Sequence, residues 1–86
     1  MEYEWDENKR EANLEKHKVD FDAVLGFDWK TAQEIEDMRF DYGEQRLWAF
    51  GRIRDRLYVL TFTRREGAVR VISLRKANSR EEKIYG

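Results

Sequence analysis

Residues 45–75 read QRLWAFGRIRDRLYVLTFTRREGAVRVISLR, and this stretch decides the fold. Three runs rich in β-branched and aromatic residues lie in it: Gln45–Ile53, Arg56–Arg64 and Ala68–Arg75. The connectors Arg54-Asp55 and Arg65-Glu66-Gly67 are of hairpin length, so the runs read as an antiparallel meander. Strand parity then sorts the side chains onto faces. In the second run Tyr58, Leu60, Phe62 and Arg64 point one way, and Leu57, Val59, Thr61 and Thr63 the other. In the third, Val69, Val71, Ser73 and Arg75 oppose Arg70, Ile72 and Leu74. Each face is apolar through its middle and carries an Arg towards a strand end.

Upstream of the meander, Asp6 has the chemistry of an N-cap for a helix running to about His17, with Trp5 at the preceding position. Only Ala12 and Leu14 are apolar inside that helix. Lys9, Asn13, Lys16 and His17 fall at i, i+4, i+7 and i+8, along one face. A second short helix starts at Asp20, sets Phe21, Val24 and Leu25 towards the core, and stops at Gly26. Alternation through Trp29, Thr31, Gln33 and Ile35 marks a candidate edge strand, and Asp37–Gly43 reads as loop. Downstream, Asn78 or Ser79 caps a last helix through Tyr85, with Glu81 and Glu82 at its positive end. The expected class is α+β, in the order α-α-β-β-β-α, with one extra edge strand as an option.

At 86 residues the chain is long enough for one domain, 1–86. Three Trp, four Tyr and five Phe supply much of its core. With no Cys there is no disulfide framework and no thiolate metal site, which favours a reducing, cytoplasmic compartment. The opening MEYEWDENKR lacks the regions of a signal peptide, and no apolar run approaches the ~20 residues of a membrane span. Net charge is −1, but it is unevenly spread. Residues 1–44 carry 14 acidic and 6 basic side chains; residues 45–86 carry 4 acidic and 11 basic. Either the basic half faces an anionic partner, RNA first of all, or the halves neutralise each other across the fold.

Arg64, Arg65, Arg70 and Arg75 crowd the meander, with Lys76 and Arg80 just beyond. A single strand-end Arg is ordinarily solvated or ion-paired. A cluster of guanidinium forks can grip phosphate and stabilise a phosphorane-like transition state. His17, the sole His, is the default general acid–base group, its rival role being a cap on the first helix. Asp20-Phe21-Asp22 is too slight a signal for a metal site, and phosphate-cradling glycine loops and nucleophile elbows are absent.

The order of these residues resembles the BrnT family of toxins from bacterial type II toxin–antitoxin operons. Tyr3-Glu4-Trp5-Asp6, Lys9, Asn13, Lys16-His17, Val19 and Phe21 are similar to its N-terminal signature. The similarity resumes at Glu44, Arg46 and Gly51 and runs through Tyr58–Arg64, Val69–Ala77, Arg80-Glu81 and Tyr85. Two positions depart from the pattern: Lys18 stands where members often have Gly, and Asp20 where Ser is usual. The resemblance implies a RelE-like fold and a ribonuclease that arrests translation without a cofactor. It also implies a BrnA ribbon-helix-helix antitoxin in a 2:2 complex that represses its operon, so that operator DNA is met only through the antitoxin. Carried over by position, Arg64 and Arg75 stabilise the phosphorane while His17, Lys76 and Tyr85 share the proton transfers. Lys9, Asn13, Arg70 and Arg80 hold RNA or face the antitoxin. The competing function is a non-catalytic RNA- or partner-binding module that uses the same basic patch.

Overall fold

The meander forms as its alternation requires. The computed structural model describes every residue from Met1 to Gly86. In chain order it has β1 (Glu2–Glu4), α1 (Glu7–His17), a 3₁₀ helix (Phe21–Gly26), β2 (Gln33–Asp37), β3 (Arg46–Ile53), β4 (Arg56–Arg65), β5 (Ala68–Lys76) and α2 (Ser79–Tyr85). One five-stranded sheet carries the order β1-β5-β4-β3-β2. β1 lies parallel to β5 and the other pairings are antiparallel, so the sheet is mixed. The β4–β5 loop is the pair Glu66-Gly67 alone, at φ 51° and 82°. Two successive positive-φ residues match the sheet's twist and make the tight hairpin.

The α+β class is as expected, but the element order differs from α-α-β-β-β-α at three points. β1 precedes the first helix and forms the far edge of the sheet against β5. The edge strand near residue 33 runs over Gln33–Asp37 rather than from Trp29. Trp29 instead turns inward, its ring edge-on to Phe27 and Phe62 and its Nε1 donating to Tyr3 Oη at 2.7 Å. The third point is the element after Asp20, which is a 3₁₀ helix. With three residues per turn, Phe21 and Val24 share a buried face while Leu25 rotates out, 75% exposed.

Caps behave as the sequence implies. Asp6 accepts from the backbone of Asn8 and Lys9, and Asn78 and Glu81 form a reciprocal capping box on α2. The two departures from the BrnT pattern are both accommodated. Lys18 takes the left-handed cap conformation at φ 61°, where Gly is cheaper. Asp20 caps the 3₁₀ helix by accepting from Asp22, as Ser would.

A β-bulge sets the faces. Thr61 pairs with Ser73 but Phe62 pairs with Val71, leaving Ile72 as the extra residue in β5. Strict alternation along β5 therefore fails. Val69, Val71 and Leu74 share one buried face, and Ser73 and Arg75 move to the other. The first face packs with Phe21, Val24, Phe27, Ala49, Leu60 and Phe62 under the N-terminal helices. The second carries Phe50, Leu57, Val59 and Ala77, flanked by Trp48 and Tyr85. Only α2 crosses this second face, and seven residues of helix span roughly 10 Å. A five-stranded sheet is about 19 Å across, so part of the face stays open. No helix is long and apolar enough to cross a membrane.

Much of the charge asymmetry is absorbed inside the fold. Arg46 and Arg65 meet Glu44, Arg64 meets Glu34, and Arg70 meets Glu4. For these four arginines the halves do neutralise each other.

Candidate functional site

The open part of the second face is a cleft of about 460 Å³ lined by ten residues, among them His17, Arg39, Trp48, Thr61, Ser73 and Arg75. Its floor follows from register. Trp48 pairs with Thr61 and Thr61 with Ser73, giving one cross-strand row; Phe50, Val59 and Arg75 give the next. Because directly paired residues point the same way, both rows rise into the cleft. The bulge at Ile72 is what brings Ser73 and Arg75 into them.

α1 supplies the wall beside β5, and Asn13 places it there. β1 covers β5 only at Ala68–Arg70, so the edge of β5 beyond that point lacks a strand partner. Asn13, 6% exposed, fills the gap with its side-chain amide. Its Nδ2 donates to the carbonyls of Leu74 at 2.8 Å and Val19 at 2.9 Å, and its Oδ1 accepts from the Leu74 N–H at 3.2 Å. The amide thus stands in for one peptide unit of a strand. One turn further on, Lys16 and His17 reach the cleft.

Electrostatics at this end are well defined. His17 titrates below the ordinary imidazole value, first because burial disfavours its charged form and then because Lys16 and Arg75 repel it. It is therefore neutral at pH 7 and able to accept a proton. Arg75 donates through Nη1 and Nη2 to the two carboxylate oxygens of Glu81, both at 2.8 Å. That fork raises the Arg75 pKa further and lowers that of Glu81. Arg39 closes the opposite end, with its guanidinium 4.8 Å from the Trp48 ring centre and forked onto Asp37. The Asp37 carboxyl is pulled to about 2, chiefly by the Arg39 hydrogen bonds.

Of the residues singled out from sequence, His17 and Arg75 meet in the cleft. Lys9 lies in an adjoining depression of about 210 Å³ with Lys16, His17 and Ser73. Arg64 does not join Arg75. It aligns with Val69 on the opposite face, stacks 5.1 Å over Phe62 and forks onto Glu34 at 3.1 and 3.2 Å. Lys76 aligns with Tyr58, one position past Arg75, and so faces away from the cleft. Tyr85 stacks on Phe50 at 3.8 Å, in a separate depression. Arg70 is bound to Glu4 at 2.8 Å, Arg80 is exposed on α2, and Asn13 is committed to the backbone of β5. Arg39, Trp48, Thr61, Ser73 and Glu81 line the cleft without having been proposed as site residues, and Lys16, placed on the His17 face of the helix but given no role, joins them. Register across two hairpins would have pointed to Trp48 and Thr61, whereas Ser73 is hidden by the bulge. No three His, Cys, Asp or Glu side chains converge anywhere in the chain.

Comparison with known proteins bears on this arrangement at two levels. The crystal structure of the Brucella abortus ribonuclease toxin BrnT is similar at a TM-score of 0.72 and 30% sequence identity, covering 92% of this chain and 99% of that one. No curated protein matches the sequence. A family model described as the ribonuclease toxin BrnT of type II toxin–antitoxin systems matches residues 5–81. That span holds α1, the whole sheet apart from β1, and every cleft residue, and on it the chain belongs to the BrnT family.

Proposed function

We propose that this toxin is a metal-independent endoribonuclease that cleaves RNA in the β3–β5 cleft and thereby arrests translation. One observation carries the reading: His17, Ser73 and Arg75 converge at one end of an open cleft, with Lys16 beside them. Cleavage needs the 2′-OH deprotonated, the phosphorane charge stabilised and the 5′-oxygen protonated. Neutral His17 takes the 2′-OH proton as the 2′-oxygen attacks phosphorus. Arg75, fixed by Glu81, and Lys16 face the developing negative charge. The P–O5′ bond breaks and the 5′-oxygen leaves with a proton supplied from the Lys16 ammonium. The products are a 2′,3′-cyclic phosphate and a 5′-hydroxyl. Geometry favours His17 over Lys76 and Tyr85 for the proton transfers, since the latter two lie outside the cleft.

Each step is assigned to a side chain that the cleft itself supplies, so the reaction as proposed draws on no metal. Purified protein should cleave RNA in excess EDTA and leave the ends named above. Activity abolished by chelation and restored by Mg²⁺ would defeat this reading. The antitoxin is proposed to be a BrnA-type ribbon-helix-helix protein whose own dimerisation joins two toxins into a 2:2 assembly.

A further inference from the structure

The two ends of the cleft differ in kind. Lys9 and Lys16, beside His17, take no ion pair and offer full unit charges to phosphate. Arg39 does not. Its Nε and Nη2 are engaged by Asp37 Oδ1 and Oδ2 at 3.0 and 3.1 Å, so a carboxylate already offsets its charge. That carboxylate, on a residue 4% exposed, also accepts from Tyr42 Oη at 3.0 Å and from the Arg39 N–H at 3.1 Å. The guanidinium carbon also lies over two rings, 4.8 Å from the centre of Trp48 and 5.7 Å from that of Phe40. Such a group is a poor phosphate grip. Its remaining Nη protons and its aromatic surroundings instead suit the acceptor edge and π face of a nucleobase.

Spacing agrees with this. Trp48 shares a cross-strand row with Ser73, two strand intervals or about 10 Å away. That is the reach of a nucleotide from a phosphate at the His17 end to its neighbouring base. Met38 and Phe40, 77% and 66% exposed, extend the apolar surface beyond Arg39. An organised loop presents them: Asp41 accepts from Gly43 N–H at 3.0 Å, and Phe40 packs edge-on to Tyr42.

We infer that Arg39, with Trp48 and Phe40, forms a subsite that holds one unpaired RNA base beside the phosphate cleaved at the His17–Arg75 end. The inference rests on the ribonuclease reading for which bond is cut, and adds to it a residue that sets sequence preference. The test uses fluorescent 2′-O-methyl RNA trinucleotides, which lack the nucleophile and cannot be cut. Each is compared with versions carrying one abasic residue, across a range of salt concentrations. Wild-type protein should lose roughly 5- to 100-fold in affinity when one particular base is missing. In Arg39→Gln and in Phe40→Ala, whose side chain is exposed and outside the core, that ratio should fall towards one. The slope of log affinity against log salt should not change. Lys16→Ala should do the reverse, keeping the ratio and lowering the slope by about 0.7.

The idea is overturned if no missing base costs the wild type affinity, if no oligonucleotide binds, or if the ratio survives in both variants. A lowered salt slope in Arg39→Gln with the ratio intact would make Arg39 a phosphate contact. Lost antitoxin binding with the ratio intact would make the loop a protein-docking rim; either result overturns the inference. Wild-type protein that binds with base discrimination yet cuts no natural RNA would remove the ribonuclease proposal and leave the subsite standing.

Discussion

Arg64 and Arg75 look alike in the sequence, each near a strand end in a basic segment, yet the structure gives them different surroundings. Arg75 enters the cleft beside His17, whereas Arg64 lies on the other face, forked to Glu34. Their substitutions should therefore diverge. Arg75→Ala should cut RNA cleavage by on the order of a hundredfold or more, the usual loss for a group facing transition-state charge. His17→Ala should cost a comparable 10²–10⁴-fold as a lost general base. Arg64→Ala should stay within a few-fold of the parent, read with a fluorescent RNA substrate at matched expression and melting temperature. A loss in Arg64→Ala as large as that in Arg75→Ala would place phosphate on the opposite face and defeat the cleft as the site. The pH profile adds a second check. Because the His17 pKa is lowered, the base is already deprotonated below the ordinary value near 6.5. The acidic limb of kcat/KM should accordingly fall below pH 6.5 and vanish in His17→Ala, whose residual rate has no such limb.

At the scale of elements, one side-chain amide joins α1 to β5. Asn13→Ala removes three hydrogen bonds and strands the buried N–H and C=O of Leu74, which should cost about 2–3 kcal/mol in denaturant unfolding. Activity should fall as well, since Lys16 and His17 hang from the same helix, and the acidic limb should persist in what remains. A loss under about 0.5 kcal/mol would mean that α1 docks by other contacts. Gly51→Ala tests the sheet's other side of this face, where an added Cβ would come within 2.5 Å of Phe27 Cζ. The ring is buried in the main core, so a cost of about 1–3 kcal/mol is expected by the same measurement. What the sequence made legible follows the same division. β3, β4 and β5 were readable because their alternation is local and their turns are short. β1 was not, because three residues carry no period and their partner lies 66 positions away. The bulge at Ile72 was hidden, since Val-Arg-Val-Ile-Ser-Leu alternates acceptably with or without it. Residue chemistry and the family resemblance together brought His17 and Arg75 forward. Trp48, Thr61 and Ser73 stayed hidden because their common row exists only once two hairpin registers are fixed, and Arg39 because it lies in a loop with no pattern to read.

For the whole molecule, the folded distribution of charge matters more than the total of −1. Acid stability shows this first. Asp37 titrates at about 2 in the fold against roughly 3.9 in an unfolded chain, so its contribution is present above about pH 4 and is lost as pH falls towards 2. Glu81, also lowered, and His17, lowered from near 6.5, act in the same direction, each favouring the fold at higher pH. Unfolding free energy should decline steadily below neutrality, and Asp37→Asn should flatten the part between about pH 4 and 2. An unchanged acid limb in that variant would remove Asp37 from the account. Partner binding should then depend on the cations left over. Nine of the 17 Lys and Arg residues are ion-paired, and the free ones include Lys9 and Lys16 on α1 and Arg80 and Lys83 on α2, the helices that border the cleft. An antitoxin able to silence the enzyme should place an acidic segment, ordered on binding, against these residues and so cover the cleft. Long-range attraction between exposed charges is screened within about 10 Å at 0.1 M salt. Association should therefore slow by at least about tenfold between low and high salt, while dissociation changes far less. Lys9→Ala combined with Lys16→Ala should slow association without unfolding the toxin, since both side chains are exposed. The measurement is stopped-flow mixing with the product of the neighbouring open reading frame, together with assembly mass and inhibition of RNA cleavage. A neighbour that binds at a salt-independent rate would point to an apolar interface away from the cleft. One that neither binds nor protects would leave the free cations to RNA alone.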